Sequence, residues 1–363
     1  MKRLFLSLLV ALLSAQTSST HVICYYESWV AWSGINPEDF DASLCTHVNY
    51  AFISLSEDGS LKVEDEELDI GQDLYKRVTA MKNSNTNLKV LLSVGGQSSG
   101  DIFRSMAADS SKRSAFLDSS TYFISTYGFD GLDVDWEYPE AADSDNYITL
   151  LKEIKSLFNE KGWLLTAAVS SDVESHGYNV AEMLNYLDFI NIMTYDFYGP
   201  WSQYTGENSP LYASSVESEW EKSHLNVASA ASNWVNAGAP KDRLTVGTGF
   251  YGRSFTLVDA NSNGLHAAIT GPGSDGGSPT YATICSDYSS WTRVWDDEQK
   301  SPRKYNGNQW LGYDDPDSTS LKAAWIKDNG FLGVMIWAIN QDDMTGTCGE
   351  KQILLKEINK AIA

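Results

Sequence analysis

Eight short runs of β-branched and aromatic residues, separated by longer segments, constrain this chain more than anything else in it. They are Val22–Tyr26, His47–Ile53, Leu88–Val94, Gly131–Asp135, Leu164–Val169, Phe189–Met193, Leu244–Phe250 and Gly333–Trp337. Nearly all are followed by a helical pattern. Between Asn146 and Phe158, for example, Tyr147, Leu150, Leu151, Ile154 and Phe158 recur at helical spacing. Apolar strands alternating with helices predict an α/β fold whose parallel strands are buried on both faces, and eight of them predict a (β/α)8 TIM barrel. A doubly wound open sheet would want a glycine-rich dinucleotide turn after the first strand, and none is present. The alternation breaks between Ser254 and Tyr313, around the Gly-, Ser- and Asp-rich run Gly271–Gly277. That break predicts a small α+β insertion over 254–313, after the seventh strand, within one catalytic unit spanning 21–363.

The first residues read differently. Lys2 and Arg3 precede an apolar run, Leu4–Leu13, and then small residues at Ser14 and Ala15. This is the pattern of a secretory signal over residues 1–20, and the run is too short to span a bilayer. Export to an oxidising compartment suits the four cysteines, Cys24, Cys45, Cys285 and Cys348, as two disulfides. None lies in a C-x-x-C pair, so zinc binding and redox chemistry are not expected. The formal charge of −22 argues against nucleic acid and anionic membranes as partners and suits an uncharged or weakly cationic ligand.

Asp130–Pro139, D-G-L-D-V-D-W-E-Y-P, carries the chemistry. In a strand, side chains alternate between faces, so Asp133, Asp135 and Glu137 share one face while Leu132, Val134 and Trp136 take the other. Three carboxyls on one face repel, and at least one must hold its proton to a higher pH. A carboxyl so shifted is what a general acid needs near neutrality. A calcium loop counted from Asp130 fails, because its glycine and glutamate positions fall on Asp135 and Ala141. A solvated acidic face would not interleave Leu, Val and Trp. At the ends of the other runs stand Glu27, Trp29, Phe52, Gly95-Gly96, Tyr195-Asp196, Tyr251, Arg253 and Trp337. In a barrel these ends form one rim. Carboxylates, tyrosines and tryptophans converging there predict a carbohydrate site with an acid at its centre.

These residues carry a resemblance. D-x-x-D-x-D-x-E is Asp130, Asp133, Asp135 and Glu137; S-x-G-G is Ser93, Gly95 and Gly96; M-T-Y-D is Met193–Asp196. F-Y-G-P-W ends at Trp201, N-S-P-L-Y is Asn208–Tyr212, Y-G-R-S-F is Tyr251–Phe255 and M-I-W-A is Met335–Ala338. In this order, and over essentially the whole mature chain, the motifs resemble the glycoside hydrolase family 18 chitinases, specifically the secreted animal type with an α+β insertion. No linker, Cys-rich tail or chitin-binding module is read from the sequence.

The resemblance implies a retaining, substrate-assisted hydrolysis of β-1,4 linkages between N-acetylglucosamine units, a route by which this family departs from the usual pair of catalytic carboxylates. Glu137 would protonate the glycosidic oxygen, and the substrate's own 2-acetamido oxygen would attack the anomeric carbon. Asp135 would hold the acetamido N–H and exchange a proton with Asp133, while Tyr195 would align the acetamido oxygen. Trp337 would floor that subsite. The resemblance also assigns Tyr25, Trp29, Phe52, Gly96, Gln97, Met193, Asp196, Trp201, Tyr251, Arg253 and Met335 to the substrate-binding cleft. It pairs Cys24 with Cys45 and Cys285 with Cys348. It implies chitin or chito-oligosaccharides as ligand, no metal or cofactor, and a secreted monomer.

Two rival readings share parts of this pattern. A non-catalytic chitinase-like lectin would bind sugar in the same groove, but that subgroup usually lacks the acid, and here Glu137, both aspartates and Tyr195 are present. An endo-β-N-acetylglucosaminidase shares the acidic motif and fits poorly with Y-G-R-S-F and the insertion. One position departs from the family pattern: many animal chitinases have Trp after S-V-G-G, and here it is Gln97. Loss of that stacking platform predicts a preference for soluble oligosaccharides over crystalline chitin. Gln97→Trp is expected to raise turnover of insoluble chitin; equal activity of the two proteins in a reducing-end assay would remove the idea.

Overall fold

The computed structural model describes residues 20–363, so nearly all of the export signal read over residues 1–20 falls outside the described residues. Eight strands form the barrel: β1 (His21–Glu27), β2 (His47–Leu55), β3 (Lys89–Gly96), β4 (Gly131–Trp136), β5 (Leu164–Ser170), β6 (Phe189–Met193), β7 (Leu244–Gly249) and β8 (Gly333–Trp337). Each pairs in parallel with the next, from β1 to β8. β8 returns to β1 through the register His21↔Gly333 to Cys24↔Ile336, which closes the sheet and removes its edges.

Alternation along the strands sorts residues into two apolar sets. Ile23, Tyr25, Ala168, Phe189, Met193 and Met335 fill the barrel interior. Val22, Cys24, Leu132, Val134 and Trp136 face the helices outside. On β4 the apolar set is outward, and this is what turns Asp133 and Asp135 inward. Trp136 fixes that orientation: its ring stacks on Phe103 of the helix Gly100–Ala108 at 5.4 Å, and meets Tyr147 of the helix Ser144–Lys161 edge-on at 5.4 Å.

The connections depart from the simple repeat. β1 is followed by 3-10 turns (Ser28–Ser33, Pro37–Asp39, Ala42–Leu44) instead of an α-helix. After β7 comes a five-stranded antiparallel sheet in the order Ile269–Pro272, Arg253–Leu257, Gln309–Gly312, Ser301–Asn306, Thr292–Asp296, with the helix Tyr281–Asp287. The disulfides join the pairs that the resemblance implied. Cys24–Cys45 ties β1 to the turn before β2, and Cys285–Cys348 ties the insertion helix to the segment beyond β8.

β3 continues two residues beyond the predicted Val94, pairing Gly95 with Asp135 and Gly96 with Trp136. Gly95 does so at φ +118, and a Cβ there would stand 2.0 Å from the Asp135 carbonyl oxygen and 2.8 Å from the Phe103 ring. Only glycine allows β3 to lie this close to the acidic strand. Gly95→Ala is therefore expected to cost about 3 kcal/mol through strain and overpacking, read as a lowered midpoint of chemical denaturation. An unchanged midpoint would contradict this account of the β3–β4 contact.

Candidate active site

At the C-terminal ends of the strands opens a cleft of about 620 Å³. β4 and the residue after it supply Asp135 and Glu137; the end of β6 and the segment after it supply Met193, Tyr195 and Asp196; the turn after β7 supplies Tyr251, and the first strand beyond it Arg253. Glu27, Trp29, Phe52, Gly95, Gln97 and Trp337 complete the predicted residues that line it.

Asp133 lies one step deeper, fully buried. Its Oδ2 accepts from Tyr25 Oη at 2.7 Å and Ser93 Oγ at 2.9 Å, and its Oδ1 from Thr166 Oγ1 at 2.5 Å and Asn191 Nδ2 at 3.2 Å. Burial raises its pKa, and these four donors oppose the rise. Asp135 has no such relief: burial, then the charges of Glu137 and Asp133, push it well up, and its Oδ1 has no hydrogen-bond partner among the described residues. Glu137 is pushed up to about 7, first by burial and further by the charge of Asp196, against a hydrogen bond with Tyr138. Repulsion, the cause expected from sequence, is thus second to desolvation.

Tyr195 is buried, and the partner of its hydroxyl is the thioether of Met335 at 3.8 Å, a weak acceptor. That leaves the hydroxyl a donor for a ligand. Gly247 of β7 makes the space, since a Cβ there would stand 3.0 Å from the Tyr195 ring. Aromatic rings run outward along one wall: Tyr25 to Trp337 at 5.5 Å, Trp337 to Phe52 stacked at 5.5 Å, and Phe52 to Trp29 stacked at 6.3 Å. On the opposite wall Asp196 accepts from Tyr251 Oη at 2.7 Å and Arg253 Nε at 2.7 Å, and Arg253 lies over Trp201 at 5.0 Å.

Four residues expected at the cleft surface stand elsewhere. Tyr25 and Met335 are fully enclosed on inward positions below the cleft, where they support Asp133 and Tyr195. Gly96 gives its space to the Phe52 ring, which a Cβ would meet at 2.7 Å. Trp201, 61% exposed, forms an outer rim against Arg253 and not the lining. The lining residues Tyr138, Ser170, Ser171, Ser278 and Gln341 escaped sequence reasoning. Tyr138 adjoins Glu137, and Ser170-Ser171 end the fifth strand, so the strand-end rule applied to every strand finds them. Ser278 and Gln341 carry no such signal.

The model of the glycosyl hydrolases family 18 matches residues 21–342. The Manduca sexta endochitinase is 37% identical over 374 residues, 94% of this chain and 67% of that protein. The Ostrinia furnacalis Group IV chitinase, solved with allosamidin, superposes with a TM-score of 0.91 at 37% identity, over 94% of this chain and 98% of that one. Human YKL-39, a pseudo-chitinase with retained chitooligosaccharide binding, superposes with a TM-score of 0.88 at 31% identity, covering 94% and 99% of the two chains.

Because the folded state holds the Glu137 proton to about pH 7 while an unfolded glutamate releases it near 4.5, the folded protein binds the extra proton between those values. The resulting stability is complete below pH 4.5 and is lost as pH rises through 7. Glu137→Gln removes the loss. The variant is expected to exceed wild type in stability at pH 8 by a few kcal/mol at most, and the excess to vanish below pH 4.5. Denaturation midpoints across that range test it; a constant difference would mean the carboxyl titrates normally.

Proposed function

The chain belongs to glycosyl hydrolase family 18, and on that basis we propose that it is an exported chitinase cleaving β-1,4 linkages between N-acetylglucosamine units with retention. The observation that carries this reading is the acid Glu137, pushed up to about 7, beside a buried Asp135 oxygen and a Tyr195 hydroxyl that lacks a strong partner. An acid, an acceptor and a donor are the three functions a 2-acetamido sugar requires to attack its own anomeric carbon.

In this reading Glu137, protonated below about pH 7, gives its proton to the glycosidic oxygen. The acetamido carbonyl oxygen, aligned by Tyr195, bonds to the anomeric carbon as the glycosidic C–O bond breaks. Asp135 accepts the acetamido N–H and stabilises the positive charge of the oxazolinium ion. Asp135 exchanges a proton with Asp133 as it takes up the acetamido N–H, and the four donors at Asp133 oppose the rise that burial gives its pKa. Water, deprotonated by Glu137, then opens the ring from the same face. An internal nucleophile held by Tyr195 and floored by Trp337 supplies a large proximity gain without a protein nucleophile.

The reading extends to an export signal within residues 1–20, to the catalytic barrel over 21–363 with its insertion at 254–313, and to a monomer. Among the described residues no helix is long and apolar enough to cross a membrane. Likeness to a pseudo-chitinase supports a sugar-binding alternative; the intact acid and its raised pKa favour hydrolysis.

Glu137→Gln is expected to lower kcat on chito-oligosaccharides by at least about 100-fold while oligosaccharide binding persists. Wild-type kcat/KM is expected to fall as pH rises through about 7, and proton NMR of newly formed ends to show the β anomer first. Retained turnover in the variant, or an initial α anomer, would exclude the mechanism.

A further inference from the structure

Glu27 is a carboxylate that the proposed reaction does not use. It ends β1, is 6% exposed, and lines the cleft with Trp29, Trp337 and Gln341. Asn340 Nδ2 donates to its Oε2 at 2.5 Å, and Gln341 Nε2 donates to Oε1 at 3.1 Å and Oε2 at 3.0 Å. The Glu27 backbone N–H in turn donates to Asn340 Oδ1 at 3.1 Å. The turn after β8 therefore supplies two amides that hold the carboxylate in one orientation. An ionised carboxylate has about four acceptor positions, and these contacts leave capacity at Oε1.

What this carboxylate lacks is a cation. Burial raises its pKa and the two amides oppose that; no positive group acts on it among the described residues. The arginine of the cleft lining, Arg253, is held by Asp196 across the site. A carboxylate kept out of water without a counter-charge carries a desolvation cost that a cationic ligand group would offset. For sugar hydroxyls alone the amides of Asn340 and Gln341 would suffice, and a neutral residue at 27 would serve.

We propose that Glu27 forms a subsite for a cationic 2-amino sugar, so that the preferred polymer is partially deacetylated chitin, with a glucosamine unit on the Trp29 side of the cleft. This rests on the chitinase reading and names its substrate class. The sugar at Tyr195 and Asp135 stays acetylated, since a free amine has no carbonyl oxygen to attack the anomeric carbon. Selectivity is then for a mixed chain, acetylated where it is cut and charged where it is gripped. The net charge of −22 adds long-range attraction for such a polycation.

Wild type and Glu27→Gln are compared on fully acetylated chito-oligosaccharides and on a half-deacetylated chitosan. The ratio of kcat/KM for chitosan over acetylated oligomer is expected to fall about tenfold in the variant, the effect of one lost hydrogen bond to a charged group. The ratio is internal to each preparation, so a misfolded fraction cancels. An unchanged ratio overturns the proposal. Mass-spectrometric sequencing of wild-type chitosan products needs no variant: glucosamine enriched at one fixed distance from the cut end supports the subsite, and random placement overturns it. If wild type cleaves the acetylated oligomer and shows neither effect, the chitinase reading stands and this inference falls. If it cleaves neither substrate, both fall together.

Discussion

Burial of a column of carboxyl groups along the barrel axis is the constraint from which the rest follows. Asp133 is tolerated at that depth only because four donors reach it, Ser93 and Thr166 from the neighbouring β3 and β5, and Tyr25 and Asn191 from β1 and β6. Buried charge without such donors would cost several kcal/mol. Four donors oppose the rise that burial gives the Asp133 pKa, Asp135 has no such donors and is pushed well up, and Glu137, nearer the opening, is pushed up to about 7. One gradient of solvation and hydrogen bonding thus gives three carboxyl groups, two on β4 and one just after it, different protonation behaviour.

The apolar half of the same strand is as necessary as the acidic half. Trp136, locked between Phe103 and Tyr147, prevents the strand from rotating its carboxyls away from the axis. Gly95 lets β3 approach, and Gly247 leaves room for the Tyr195 ring. The insertion contributes at its first residue, where Arg253 joins Asp196 and Trp201. The electrostatics of the centre therefore depend on packing several side chains away from it.

Much of this was legible in the chain itself, for a physical reason. A parallel barrel strand is buried on both faces, so its apolar run is dense and bounded, and all eight runs lie on strands whose ends differ by two residues or fewer. The motif spacing at 133, 135 and 137 survives because strand periodicity needs no knowledge of the fold. Depth was not legible. Tyr25 and Met335 sit on inward positions like Asp135, but nothing local to them states that they lie below the floor rather than in it. Nor does a local signal announce the 3-10 turns after β1, or the pairing of Glu27 with Asn340 across 313 positions. Such contacts belong to closure of the ring, a property of the whole chain.

That closure joins the first stave of the barrel to the last. β1 has its second partner only in β8, which follows every other barrel strand in the sequence. Without β8 and the turn after it, Tyr25 lacks the ring it packs against, Glu27 lacks both amides, and Tyr195 lacks the Met335 sulfur. The cleft is therefore not whole until the last stave meets the first.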